Sequence, residues 1–118
     1  MCVFCDLPKD VVFAENEHFI AIADRNPVSR GHSLVVSKRH VVDFFELSAE
    51  EVTAMHSLCI EVKEFLAQKY HPDAYNLGMN CGKTAGQSVF HFHLHLIPRY
   101  RNDKETAIRG LREYVKAI

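Results

Sequence analysis

Apolar residues recur at two different spacings along this chain, and each spacing predicts a type of secondary structure. In the first third, short apolar runs predict β-strands at residues 11–13, 19–23 and 32–37. The turn-forming residues 24–27 separate the second run from the third. We therefore expect these three strands to form an antiparallel meander.

A long helix is predicted next, and its first turn is marked by residues that satisfy free backbone groups. Ser48, followed three positions later by Glu51, has the pattern of a capping box. Apolar residues then recur at helical spacing, at Val52, Met55, Cys59, Val62 and Leu66. Pro72 cannot continue a helix, so we expect the helix to end near Tyr70.

The last third returns to strand-like spacing. Residues 75–79 predict a strand, residues 80–87 a glycine-containing loop, and residues 89–97 a strand with strict alternation. Residues 106–118 place apolar side chains on one face of a short C-terminal helix. The predicted fold class is α+β, with an antiparallel sheet of about five strands and one main helix packed on it.

The composition is that of an ordinary globular domain. The chain has 118 residues, of which 47% are hydrophobic and 25% are charged, so we expect one domain spanning residues 1–118. A formal net charge of -1 does not favour binding to nucleic acid or to a membrane surface. With no membrane-length apolar run and no signal peptide in the first ten residues, we expect a cytoplasmic protein with reduced cysteines.

Three histidines alternate along the last predicted strand, which Pro98 closes. Because strand side chains alternate between faces, His91, His93 and His95 would project from one face. The opposite, core-facing positions would be Phe90, Phe92, Leu94 and Leu96. Two functions are open for such a row: the imidazoles could share a catalytic zinc, or a neutral imidazole could act as a nucleophile.

The residues just before the histidines distinguish these two functions. Gly86, Gln87 and Ser88 offer backbone N–H groups, an amide and a hydroxyl, which are donors suited to an anionic oxygen. A transition state at phosphorus spreads charge over its oxygens, and such donors stabilise it. The pattern therefore favours nucleophilic attack on phosphorus over a hydrolytic zinc.

Residues 86–98 resemble the signature of the histidine triad (HIT) nucleotide hydrolases and transferases. The cysteine pair near the N-terminus, Asp24 and residues 31–40 resemble further blocks of that family, so the likeness covers nearly the whole chain. It implies a HIT-like fold and a homodimer in which the main helices pack together. The stripe that includes Met55 and Leu66 could form that interface, or it could equally face the chain's own sheet.

The resemblance also implies a role for each site residue. His93 would attack the α-phosphorus of a nucleoside 5′-phosphoryl compound, either adenosine phosphoramidate or a diadenosine polyphosphate, and water would resolve the nucleotidyl-histidine. His95 and His32 would flank the phosphate and assist proton movement. The implied nucleotide-binding residues are Asp24 at the ribose hydroxyls, Asn80 lining the pocket, Gln87 and Ser88 at the phosphate or leaving group, and Phe19 and Ile22 as an apolar slot for a purine, with adenine preferred. Phe19 and Ile22 could equally be plain core residues.

Cys2 and Cys5 form a C-x-x-C pair that by itself is weak evidence for a metal. A redox pair is not favoured because no thioredoxin-like βαβ unit follows. The chain resembles the zinc-containing bacterial branch of the family, which implies a structural zinc held by Cys2, Cys5, His40 and His91. By this resemblance His91 would be a structural ligand rather than a catalytic residue.

Three alternatives remain open. Phosphate could resolve the intermediate, which would make the protein a diadenosine polyphosphate phosphorylase. The chain could instead be a nucleotide-binding module with little turnover, or a zinc hydrolase that uses all three histidines. Residues 101–104 and the tail after them lack the glycine-rich or aromatic C-terminus of several family branches, so the leaving group is not predicted.

Overall fold

The computed structural model describes residues 2–101. The strands of this part of the chain are β1 (Val12–Glu15), β2 (Phe19–Ala23), β3 (Ser33–Ser37), β4 (Ala74–Gly78) and β5 (His93–Arg99), and its one long helix is α1 (Ala49–Tyr70). They form a five-stranded sheet in the order β1-β2-β3-β5-β4, antiparallel at every pairing. This confirms the predicted antiparallel sheet with one main helix. The helix predicted at residues 106–118 lies outside the described residues.

The pairing register divides the central strands into two faces with different partners. Ala21, Val35 and Leu94 pair across β2, β3 and β5, and all three belong to the large core cluster that includes residues of α1. Neighbouring positions on each strand point the opposite way. The face away from α1 therefore holds two rows, Ile22–Leu34–His95 and Ile20–Val36–His93.

Helix α1 begins and ends where the sequence predicts. The Ser48 side chain accepts from Glu51 N while the Glu51 carboxylate accepts from Ser48 N, which completes the capping box. His71 caps the other end with φ 55°. Met55, Val62 and Leu66 are buried in the core cluster between α1 and the sheet. The helical stripe thus faces the chain's own sheet, and these three side chains are not available as a dimer interface. Among the described residues, no helix is both long and apolar enough to cross a membrane.

The last strand differs from its predicted bounds at both ends. It begins at His93 rather than at residue 89, and Phe90, expected in the core, is 46% exposed. The chain before His93 is held instead by the segment after β3, because Phe92 N donates to the Val41 carbonyl at 2.7 Å. The strand also continues through Pro98 to Arg99. Pairing with β3 stops at Leu96, so the missing N–H of Pro98 costs no bond on that side.

Candidate active site and metal centre

Three histidines meet on the sheet face opposite α1. His93 and His95 come from β5, and His32 lies immediately before β3. The His93 and His95 ring centroids are 5.2 Å apart, and those of His32 and His95 are 5.1 Å apart. All three rings line a cleft of about 430 Å³ together with Asp24. The predicted catalytic residues are therefore brought together in one place.

The hydrogen bond of His93 determines which of its nitrogens can react. His93 Nδ1 lies 2.9 Å from the carbonyl oxygen of His91, and a carbonyl can only accept. The ring proton is thus on Nδ1, and the lone pair is on Nε2. Burial lowers the pKa of His93 below its usual value, which is partly opposed by the bond to the His91 carbonyl. A neutral imidazole with a defined tautomer is the form that nucleophilic attack requires.

His32 and His95 are joined by a hydrogen bond whose donor and acceptor can be assigned. Val28 N donates to His32 Nδ1 at 3.0 Å, so the proton of neutral His32 is on Nε2. That Nε2 lies 2.9 Å from His95 Nδ1 and 3.3 Å from the Asp24 carboxylate. His95 Nδ1 therefore accepts, and the proton of neutral His95 is on Nε2. Burial, followed by the neighbouring histidines, lowers the pKa of His95 to about 4, and burial also lowers that of His32.

Apolar side chains line part of the cleft, and some of them come from an N-terminal segment that the sequence analysis did not assign to the nucleotide site. Ile22 and Leu34 project from the sheet and pack against Phe4 and Leu7 of the N-terminal segment. The Phe4 ring meets the His93 ring at a centroid distance of 5.1 Å. The only sequence signal for Phe4 was its position between Cys2 and Cys5.

Phe19 does not belong to this slot, so its prediction as a base-binding residue is wrong. It is fully buried in the core under α1, where its ring packs edge-on against Phe92 at 6.1 Å. Ile22 lies three positions further along β2 and so faces the other way. Of the two predicted slot residues, only Ile22 lines the cleft.

The three polar residues predicted to bind the nucleotide from the loop before the histidines lie in different environments. Ser88 is exposed at the cleft, but Asn80 is half-buried on the loop after β4 and does not line it. Gln87 is buried, and its amide accepts from Gly82 N at 2.8 Å. The same amide donates to the carbonyls of Val42 at 2.7 Å and Val89 at 3.1 Å. In this structure Gln87 thus orders the loop that carries Ser88, and a phosphate contact would require it to break these bonds.

The four residues predicted to bind metal converge in a cluster beside the cleft. Their donor atoms all lie within 4.8 Å of one another: Cys2 Sγ, Cys5 Sγ, His40 Nδ1 and His91 Nδ1. Individual separations are 3.0 Å between the two imidazole nitrogens and 3.2 Å from each sulfur to one of them. Ligands of a tetrahedral zinc with these donors are separated by about 3.3–3.8 Å. The donor types fit a closed tetrahedral metal site, and the separations, from 3.0 Å up to 4.8 Å at most, bracket those of a bound zinc.

His91 is oriented for this role by a backbone group. It is fully buried, and its Nε2 lies 2.7 Å from the Ser37 carbonyl, to which it must donate. The Nδ1 lone pair is then directed into the cluster, as in metal sites where a carbonyl fixes the ligand tautomer. The His91 side chain thus belongs to the cluster of candidate metal ligands, while its backbone carbonyl accepts a hydrogen bond from His93.

Comparison with known proteins gives consistent results. A family model described as HIT domain matches residues 7–102. An uncharacterized HIT-like protein of Methanocaldococcus jannaschii is 41% identical over 115 residues, which cover 93% of this chain and 88% of that protein. Adenylylsulfatase HINT3 of Arabidopsis thaliana is 34% identical over 117 residues, which cover 96% of this chain and 59% of that protein. The crystal structure of a Zn-bound histidine triad family protein from Mycobacterium smegmatis has a TM-score of 0.78 at 35% identity, covering 98% of this chain and 94% of that one.

Proposed function

Because the chain belongs to the HIT domain family, we propose that it is a nucleotidyl hydrolase or transferase acting on nucleoside 5′-phosphoryl compounds, with His93 as the nucleophile. The observation that carries this proposal is the bond between His93 Nδ1 and the His91 carbonyl, which leaves the Nε2 lone pair on a neutral ring at the cleft. A similar relative named as an adenylylsulfatase supports nucleotide hydrolysis as the reaction class.

The proposed reaction has two balanced steps. His93 Nε2 forms a bond to the α-phosphorus as the bond to the leaving group breaks, and the leaving group departs with the bonding electron pair while it accepts a hydrogen bond from His95 Nε2–H. His32 Nε2–H donates to His95 Nδ1 at 2.9 Å, beside the Asp24 carboxylate, and so keeps the His95 proton on Nε2 for that hydrogen bond. Water then attacks phosphorus as the bond to His93 Nε2 breaks and returns its electron pair to the ring. The water proton goes to the released leaving group or to solvent, and a nucleoside monophosphate and free His93 result.

The nucleoside would lie at the apolar part of the cleft. Phe4, Leu7, Ile22 and Leu34 offer a surface for a planar base, and we propose a purine, with adenine first. Asp24 Oδ1 accepts from Asn26 N at 2.8 Å, and its carboxylate has further acceptor sites for ribose hydroxyls. Ser88 would donate to the phosphate, whereas Asn80 would have to move to reach the ligand.

We assign the metal at Cys2, Cys5, His40 and His91 as zinc with a structural role. Two thiolates and two imidazoles are a common zinc donor set, and a similar solved structure is described as Zn-bound. When bound, zinc would supply a cross-link between the N-terminal segment, the segment after β3 and the segment before β5. A homodimer is also part of the proposal, and light scattering on the purified protein tests it.

The deciding experiment compares His93→Asn with His71→Asn. The His71 side chain lies at the αL cap of α1, a position that asparagine tolerates well. Each variant is assayed with adenosine phosphoramidate, a diadenosine polyphosphate and adenylyl sulfate. We expect His93→Asn to lose turnover at least about 1000-fold while still binding adenosine monophosphate, and His71→Asn to match the parent protein. Turnover that survives in His93→Asn would overturn the assignment.

The same assay separates the alternative functions. A nucleoside diphosphate product that appears only with added phosphate indicates phosphorolysis. Tight nucleotide binding without turnover of any of the three substrates indicates a binding module. Immediate loss of activity on chelation, with the fold intact and nucleotide affinity unchanged, indicates a zinc hydrolase.

A further inference from the structure

The metal cluster and the apolar part of the cleft share one short segment of chain. Phe4 lies between the two cysteines of the cluster, and its ring meets both His91, at 6.0 Å, and His93, at 5.1 Å. Leu7 follows Cys5 by two residues and packs with Phe4 against Ile22 and Leu34. The loop that would hold the metal is therefore also a wall of the cleft.

We propose that metal binding at this cluster controls the affinity of the cleft for the nucleoside by holding that wall in place. This inference rests on the proposed function only in taking a nucleoside as the ligand of the cleft. It assigns to the metal an effect on nucleotide binding that is separate from the bond-breaking chemistry of His93.

Within the described part of the chain, the N-terminal segment meets the sheet through the apolar packing of Phe4 and Leu7 against Ile22 and Leu34. Two of its backbone hydrogen bonds, Cys5 N to Cys2 O at 3.1 Å and Val11 N to Pro8 O at 3.3 Å, close turns within the segment. Val3 is 52% exposed and Cys5 is also exposed. Ordering this segment costs conformational entropy, which the packing of Phe4 and Leu7 must help to offset when no metal is bound. Loss of the metal should therefore loosen this wall before it affects the sheet.

The hydrogen bonds that orient the nucleophile, by contrast, do not involve the metal. His91 donates from Nε2 to the Ser37 carbonyl at 2.7 Å. Next to it, Phe92 N donates to Val41 O at 2.7 Å, and Ser37 N donates to Phe92 O at 3.3 Å. The His91 carbonyl that sets the His93 tautomer is thus fixed by β3 and the segment after it. Metal removal should accordingly raise KM much more than it lowers kcat.

The wall is apolar and lies where the base would bind, so its loss should weaken the binding of ligands that carry a base. Adenosine monophosphate and ribose 5-phosphate form a matched pair that differs by the base alone. We expect metal-free protein to bind adenosine monophosphate about tenfold more weakly or worse, as loss of an aromatic and an aliphatic contact would predict. Its affinity for ribose 5-phosphate should change by less than about twofold.

The test uses the full chain, loaded with zinc and then stripped by a chelator, with bound zinc and circular dichroism measured on each sample. Calorimetric titration with the two ligands gives the affinities, and steady-state assays give kcat and KM. Cys2→Ser should behave like the stripped protein, and Cys81→Ser, a cysteine outside the cluster, should behave like the loaded one. Phe4→Ala should lose adenosine monophosphate affinity with its zinc still bound.

The outcomes are distinct. Equal affinity of loaded and stripped protein for adenosine monophosphate would overturn the inference. A parallel loss for both ligands together with kcat would also overturn it, because that pattern indicates general loosening of the fold. If stripped protein unfolds, zinc-loaded Phe4→Ala decides: unchanged affinity for adenosine monophosphate refutes the inference, and a selective loss supports it. Failure of the proposed function would appear elsewhere, as turnover that survives in His93→Asn.

Discussion

Neutralising Glu51 should destabilise the protein by an amount that disappears in acid. Glu51 is 4% exposed, and its carboxylate accepts from Arg39 Nη2 and Ser48 N, each at 2.8 Å, and from Arg39 Nε at 3.0 Å. These contacts, with Arg39 foremost, lower the pKa of Glu51 from 4.5 to about 2. Each pKa unit corresponds to about 1.4 kcal/mol, which sets an upper limit of about 3 kcal/mol. Because the Arg39 side chain is 57% exposed and solvent screens it, we expect about 2 kcal/mol from Glu51→Gln.

The pH dependence of this stabilisation follows from the lowered pKa of Glu51. A depressed folded-state pKa contributes stability that is fully present above pH 4.5 and is lost as the pH falls toward 2. In urea denaturation, the free energy of unfolding of Glu51→Gln should thus be about 2 kcal/mol lower than that of the parent protein at pH 7, and this difference should be clearly smaller at pH 3. Glu50→Gln is the matched control, since Glu50 is exposed and its carboxylate contacts only the His18 imidazole, at 3.3 Å, among the ion-pair partners of the described residues. The reasoning fails if the gap is the same at both pH values, or if Glu50→Gln reproduces it.

Two further predictions concern the site. Gln87→Ala removes the hydrogen-bond partner of Gly82 N and of two carbonyls. We therefore expect the free energy of unfolding, measured by urea denaturation, to fall by about 2 kcal/mol, and turnover to decrease. Gln68→Ala, at an exposed position, is the control. An unchanged denaturation midpoint would contradict the loop-ordering role. The pKa of His95 is about 4 in the folded protein against 6.5 ordinarily, so the unfolded chain binds its proton more readily, and stability falls as the pH drops from 6.5 toward 4. Between pH 6.5 and 5 we expect His95 to lower the free energy of unfolding by about 2 kcal/mol. This would be disproved if the free energy of unfolding of His95→Gln changed with pH as steeply as that of the parent protein.

The parts of the fold that depend on neighbouring residues were predictable from the sequence. Ser48, Glu51 and Pro72 act within one or two turns of the helix ends, and α1 begins and ends accordingly. The start of β5 was not predictable in this way, because alternation continues through Phe90 while the backbone there bonds to Val41. Local pattern does not report such a long-range competition for hydrogen bonds.

The same distinction applies to the site. Gln87 looked like a phosphate ligand in the motif, and its bond to Val42, 45 residues away, was not visible in the sequence. The contribution of Phe4 to the cleft depends on how the N-terminal segment folds across the sheet, which no periodicity encodes. The assignment of Phe19 and Ile22 to one slot is a different kind of error, since their spacing on a strand already places them on opposite faces.

The double use of His91 has an evolutionary consequence. Its imidazole belongs to the metal cluster, but the atom that orients His93 is a main-chain oxygen, which every amino acid possesses. Selection can therefore replace Cys2, Cys5 and His40 in a descendant and place another residue at position 91 without removing the main-chain oxygen that accepts from His93. A lineage that lost the proposed metal site would need another way to anchor its N-terminal segment. The inherited chemistry and the inherited anchor can thus diverge at different rates, although they share a residue.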